Sequence, residues 1–181
     1  MEISQGGGIF RSANLTFGST DEKAIKKANA AVMKAFGMKS GATHTEFIKS
    51  HEDGEIYFLE TSSRVGGAHL AEMVEAATDI NLWAEWAKIE DALAKGYKYQ
   101  LPKVSKNYAG ILLTLSKFQH PDLSSFDDPE VYFRVPLEYH AGLIVKSKNQ
   151  DRVMQLLDDY AERIAREFST IADAPEIKKF H

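Results

Sequence analysis

Gly41 to His69 reads G-A-T-H-T-E-F-I-K-S-H-E-D-G-E-I-Y-F-L-E-T-S-S-R-V-G-G-A-H. Two short apolar-rich runs flank a polar turn, and a Gly-rich loop follows them. The first run, Thr43 to Lys49, carries Glu46 among Thr, Phe and Ile. The turn is Ser50-His51-Glu52-Asp53-Gly54, and an Asp-Gly step ahead of a new apolar run signals a β-hairpin. The second run, Glu55 to Glu60, ends in a carboxylate.

Side chains alternate between the two faces of a strand, so the register decides whether the two glutamates meet. A loop from Ser50 to Gly54 pairs Lys49 with Glu55, Ile48 with Ile56, Glu46 with Phe58 and His44 with Glu60. Glu46 and Glu60 then become diagonal neighbours on one face, with Cα atoms about 7–8 Å apart. Carboxylates at that spacing repel unless a cation or a basic group lies between them. A magnesium ion held by two carboxylates plus substrate phosphates suits the arrangement. The plainer reading of two strand glutamates is a solvated polar face.

The stretch after the second glutamate, Glu60-Thr61-Ser62-Ser63-Arg64-Val65-Gly66-Gly67, resembles the signature of the ATP-grasp superfamily. In that family a strand bearing one acidic metal ligand pairs with a strand ending in a second. A Glu-x-Asn-x-Arg run and a Gly-containing loop follow. The T-E-F at 45–47, the L-E at 59–60 and the R-V-G-G at 64–67 fall into place. The run His69 to Trp83 resembles the helix that follows the metal loop in carboxylate–amine ligases. The resemblance implies that Glu46 and Glu60 are magnesium ligands bridging the phosphates of ATP, with Mn2+ as a substitute. It implies that Arg64 contacts the transferred phosphoryl group or an acyl phosphate. Phosphoryl transfer needs such charge neutralisation and positioning whatever the fold. Gly66 and Gly67 let backbone N–H groups approach an anion at the start of a helix.

Two departures bear on the chemistry. The family usually has Asn as a third metal ligand where this chain has Ser62, whose hydroxyl reaches less far. Biotin-dependent carboxylases of the same superfamily place Val-Glu-His after their Arg loop. Here Gly67-Ala68-His69 lacks that glutamate, which disfavours bicarbonate activation. For the adenine the resemblance implies Leu59, while strand alternation offers Ile48, on the face of Glu46.

The chain has 181 residues, a net charge of -4, 44% apolar residues and no cysteine. The apolar content is that of a folded protein, and the absence of Cys excludes disulfides and thiolate sites. Mild acidity argues against a nucleic-acid surface. Met1 to Gly6 shows no secretory signal, and the apolar run Ala109 to Leu115 is too short to span a bilayer, so a cytoplasmic protein is expected. Only about forty residues precede the hairpin, whereas an ATP-grasp enzyme places a nucleotide-clamping lobe there. The chain therefore reads as the C-terminal half of such an enzyme.

Along the chain, Gly6-Gly7-Gly8 reads as a linker, and residues 9–17 as a broken strand or loop. A helix is expected from Thr20 to Phe36, with Ser19 and Glu22 forming a capping box and Gly37 ending it. Its face of Ile25, Ala28, Val32, Ala35 and Phe36 is expected to pack behind the hairpin. A helix over 68–77 should bury Leu70, Met73, Val74 and Ala77 and stop at Thr78-Asp79. Another, Leu82 to Lys95, should bury Leu82, Trp86, Ile89 and Leu93. After a connector at 97–106 come strands at 108–117, 131–138 and 141–147, with a polar loop at 119–129. A last helix, capped at Ser147 or Asn149, turns Val153, Leu156, Leu157, Tyr160, Ile164 and Phe168 inward. The tail from Ala172 to His181 is expected to fray.

The expected architecture is α+β. The C-terminal lobe of an ATP-grasp domain, an antiparallel sheet with packed helices, occupies 1–96, and a small α+β subdomain occupies 97–181. The expected function is the C-terminal portion of an ATP- and magnesium-dependent ligase that joins a carboxylate to an amine through an acyl phosphate. The isolated chain would be incomplete and inactive, and its partners would be ATP, the acid, the amine and the missing N-terminal lobe. An apolar seam where that lobe docks would favour a homodimer. The alternatives are a non-catalytic ATP-grasp-like nucleotide-binding or assembly module, and a fragment of a carboxylase of the carbamoyl-phosphate-synthase or biotin-carboxylase kind.

Overall fold

A computed structural model describes residues 8–169. The expected Gly-rich linker lies partly, and the tail from Ala172 wholly, outside the described residues. The elements run β1 (Phe10–Ala13), α1 (Thr20–Ala35), β2 (His44–Lys49), β3 (Ile56–Ser62), α2 (Leu70–Thr78), α3 (Leu82–Lys95), β4 (Tyr108–Leu115), β5 (Val131–Arg134), β6 (His140–Ser147) and α4 (Gln150–Glu167). They form two compact units, one from residues 14–105 and one from the two flanking segments. The divisions fall at 13/14 and 105/106, in place of the expected 96/97. The physical reason is β1: it pairs with β4 and so joins the far end of the chain.

The unit built from the flanking segments is an antiparallel sheet in the order β1-β4-β6-β5, with α4 against one face. Apolar residues run almost unbroken through β4 and β6 because successive positions are buried, 109–112 in one and 141–145 in the other. On the α4 side Leu112 and Leu143 pair across the strands and meet Val153, Leu156, Leu157, Tyr160 and Ile164. Gly110 lies under this helix, and a Cβ there would stand 2.5 Å from Leu157 Cδ1. Asn149 caps α4, its Oδ1 accepting from Asp151 N at 2.9 Å. The loop read as merely polar corrects the expectation. Leu123 and Phe126 are buried in this core, and the Arg134 guanidinium donates to both their carbonyls. β5 is shorter than expected, ending at Arg134 ahead of Val135-Pro136.

An ion-pair cluster closes the rim of this unit. Arg152 bonds Asp128 and Glu130, and the Tyr160 hydroxyl donates to Asp128. The tyrosine hydroxyl, then Arg152, hold the Asp128 carboxyl below its usual range, and Arg152 does the same for Glu130. Burial, helped by Asp128, pushes the Tyr160 phenol up to about 12.

The unit of residues 14–105 is organised around the β2–β3 hairpin. Ser19 caps α1 by accepting from Glu22 N at 3.1 Å, and the Glu22 carboxylate reaches back to Gly18 N at 2.5 Å. One face of the hairpin carries Phe47, Phe58 and a Thr45–Thr61 hydroxyl pair at 2.8 Å. Phe36, at the end of α1, meets Phe58 with ring centroids 6.4 Å apart, so α1 packs behind the hairpin as expected. Yet no α1 residue is fully buried, and Phe36 is 67% exposed.

The other two helices of this unit differ in detail from expectation. α2 starts at Leu70, because Ala68 and His69 both take left-handed backbone, and it buries Ala71, Met73, Ala76 and Ala77. Leu70 and Val74 are only half-buried. Asp79 takes the left-handed conformation and ends α2 at the expected Thr78-Asp79 stop. In α3 the buried residues are Glu85 and Ala92, not the expected apolar set, and Leu93 is 61% exposed. Glu85 is tolerated inside because Tyr99 Oη and Lys88 Nζ both donate to it, at 2.6 and 2.7 Å. Among the described residues, no helix is long and apolar enough to cross a membrane.

Candidate functional site

The hairpin turn closes differently from the expected register. Ser50 N donates to Glu55 O at 2.9 Å, so these residues form the closing pair and residues 51–54 the loop. Ser50 Oγ accepts from Glu52 N, Asp53 Oδ1 accepts from Glu55 N, and Gly54 takes positive φ. Lys49 therefore pairs with Ile56 and Ile48 with Tyr57. A bulge follows: Phe47 faces Phe58, but Glu46 faces Glu60, leaving Leu59 as the extra residue.

The correction tightens the site. Glu46 and Glu60 are directly opposite, not diagonal, and project from the face away from the Phe47–Phe58 pair. Opposed residues of an antiparallel pair have Cβ atoms about 4.5–5.5 Å apart. Glu60 is exposed and has no hydrogen-bond or ion-pair partner among the described residues. Ser62 is directly opposite His44, not Glu60, and alternation puts both on the glutamate face. His44 Nδ1 stands 3.9 Å from Glu46 Oε1. The expected placement of His44 beside Glu60 is thus replaced by one beside Glu46.

The glycine loop folds back to the hairpin through the same histidine. A Cβ on Gly66 would lie 3.2 Å from His44 Cδ2 and 3.4 Å from Leu70 Cβ, so a side chain here would press on the imidazole. Val65 is buried beneath the loop. Arg64 is exposed, and its Nη1 donates to Val65 O at 3.0 Å. The same nitrogen is 4.0 Å from where a Gly67 Cβ would be, so the guanidinium lies over its own loop. It makes no ion pair among the described residues. Ile48 and Leu59 are both exposed. Alternation puts Ile48 on the glutamate face, and the bulge sits at Leu59.

No group of three or more His, Asp or Glu side chains able to hold a metal occurs among the described residues. The site offers two carboxylates and a hydroxyl. That set suits a hard cation completed by water and by a ligand's own oxygens.

Comparison with solved structures decides the fold. An L-amino acid ligase from Bacillus licheniformis superposes over 92% of this chain with a TM-score of 0.61, at 16% identity. The likeness shows that this chain shares the fold of the matched part of that ligase. Phosphoribosylglycinamide synthetase from Anaerococcus prevotii shares this fold over 90% of the chain, with a TM-score of 0.53 and 16% identity. The biotin carboxylase domain of a single-chain bacterial carboxylase does so over 87%, with a TM-score of 0.50 and 16% identity. The chain covers 44%, 45% and 40% of these three structures, less than half of each. No protein-family model matches the sequence, and no curated protein does.

Sequence reading missed the aromatic cavity beside α3. Lys39, Ser40, Leu93, Tyr97, Lys98 and Tyr99 line about 470 Å³ there. The run Y-K-Y at 97–99 was its only trace in the sequence, and it reads equally well as a connector.

Proposed function

We propose that this chain is the C-terminal portion of an ATP- and magnesium-dependent ligase joining a carboxylate to an amine. The reading rests on the facing pair Glu46 and Glu60. Opposed like charges destabilise a hairpin, and a shared divalent cation relieves that cost. Glu46 and Glu60 would hold magnesium, or Mn2+, with the Ser62 hydroxyl as a further donor. The ion, when bound, offsets negative charge on the phosphates of ATP.

The remaining residues supply positioning. The Gly66–Gly67 segment lets phosphate oxygens approach the backbone ahead of α2. Arg64 would swing from Val65 O to the phosphoryl group as charge develops on it. The substrate carboxylate attacks the γ-phosphorus, ADP departs, and the amine then displaces phosphate from the acyl carbon. Ile48 and Leu59 are the apolar candidates for the adenine side. An N-terminal lobe of the same enzyme would complete the nucleotide clamp. Cytoplasmic location and homodimerisation belong to the same proposal.

One observation favours a second reading. The Arg64 bond to Val65 O holds its charge on its own loop, as suits a module that binds nucleotide without transferring phosphate. Calorimetric titration with ATP, with and without magnesium, tests the shared part. Magnesium-dependent binding is expected, weakened about tenfold or more by Glu60→Gln or Glu46→Gln. Binding indifferent to both substitutions would overturn the site. Hydroxylamine trapping on the intact gene product separates the readings: a hydroxamate identifies the ligase, and nucleotide binding without one identifies the module. The chain alone is expected to turn over ATP weakly or not at all.

A further inference from the structure

We infer that the cavity between the α1–β2 loop and the C-terminal end of α3 binds a small carboxylate with an apolar or aromatic body. At about 470 Å³ it has the size of a small-molecule pocket, and it lies wholly within the 14–105 unit. Ile89, Ala92 and Leu93 give it an apolar side.

Its aromatic walls are held from behind. Tyr97 Oη donates to Asp91 at 2.8 Å and Tyr99 Oη to Glu85 at 2.6 Å. Both acids also meet a lysine of α3, Asp91 with Lys95 and Glu85 with Lys88, each at 2.7 Å. The two phenols and the two carboxylates are thus committed to one another. Rings fixed in this way form a preorganised surface, which lowers the ordering cost of binding.

The uncommitted polar groups of the cavity are of one kind. Lys39, Lys98 and Ser40 have no hydrogen-bond or ion-pair partner among the described residues. Two ammonium groups and a hydroxyl donate and carry positive charge, so they select an anion. The apolar floor then selects an anion with a hydrocarbon body over a bare phosphate. Leu93 and Tyr97 stay half-exposed or more in the absence of such a body.

Titration of the full chain with benzoate, followed by amide NMR shifts, tests the site. Benzyl alcohol and benzylamine serve as neutral and cationic controls of the same ring. Saturable shifts at Gly41, Ala92 and Tyr97 are expected with benzoate alone. Lys39→Met and Lys98→Met should each weaken binding about fivefold, while Lys23→Met should leave it unchanged. Ser40→Trp, at an exposed loop position, should block the cavity without unfolding the chain. No saturable shift with benzoate would overturn the inference. So would equal binding of the three probes, or benzoate affinity unchanged in the double lysine variant.

Discussion

Helix α4 of one unit, and α1 with the hairpin of the other, treat their apolar residues in opposite ways. In the unit of the flanking segments, α4 drives Val153, Leu156, Leu157, Tyr160 and Ile164 into a sealed core. In the 14–105 unit, α1 has no buried residue, and Ile48, Tyr57, Phe58 and Leu59 of the hairpin stay exposed. The same periodic patterning thus gives a packed helix in one place and an open one in the other. The difference teaches that the first unit is built for stability. The second keeps surface available at the elements that carry the candidate site.

The sharpest way to break this comparison is by truncating core side chains. Leu157→Ala should cost about 2–5 kcal/mol, since the residue is fully buried over Gly110. Val32→Ala on α1 should cost less, about 1 kcal/mol, because its side chain is only partly withdrawn from water. Urea unfolding of both variants checks this, and equal losses would erase the contrast.

A second test uses pH. Asp128 is held below its ordinary value by Tyr160 and Arg152, so its contribution is full above about pH 4 and fades as pH falls below that. Tyr160 is raised to about 12, so its contribution is full below about pH 10 and fades between 10 and 12. Asp128→Asn should flatten the acid limb of a stability–pH curve, and Tyr160→Phe the alkaline limb.

The smallest effect sharpens the comparison from the other side. Ala68 sits at φ 52° ahead of α2, a conformation that costs a residue with a Cβ. Ala68→Gly should raise stability by about 0.5–1 kcal/mol, read as a shifted urea midpoint. A loss there would mean that the loop's backbone is not under strain.

Legibility in the sequence followed the same division. α4 was readable in its inward residues, and in its cap to one of two candidates, because its apolar positions repeat at helical spacing beside charged neighbours. The hairpin was readable as a hairpin, but not in register. Ser50 and Glu55 are both polar, so nothing marks which pair closes the turn, and the unbroken run Ile56 to Leu59 hides the bulge. That Glu46 and Glu60 share a face survived two register differences, since the changed closing pair and the bulge offset each other's parity. α3 misled because Glu85 is buried by Tyr99, far along the chain, while Leu93 stays open beside the cavity. β1 was unreadable as part of the distant sheet, since its four residues alone carry no sign of a partner in β4.

That short strand has a temporal consequence. Phe10 pairs with Leu113 and Ala13 with Gly110, so the whole 14–105 unit is threaded between the halves of another. During synthesis the first strand emerges long before its partner, and the loop it must close spans an entire compact unit. Prior collapse of the inserted unit shortens that loop and lowers its closure entropy. The nested order therefore makes early folding of the hairpin-bearing unit an aid to completing the sheet that surrounds it in sequence.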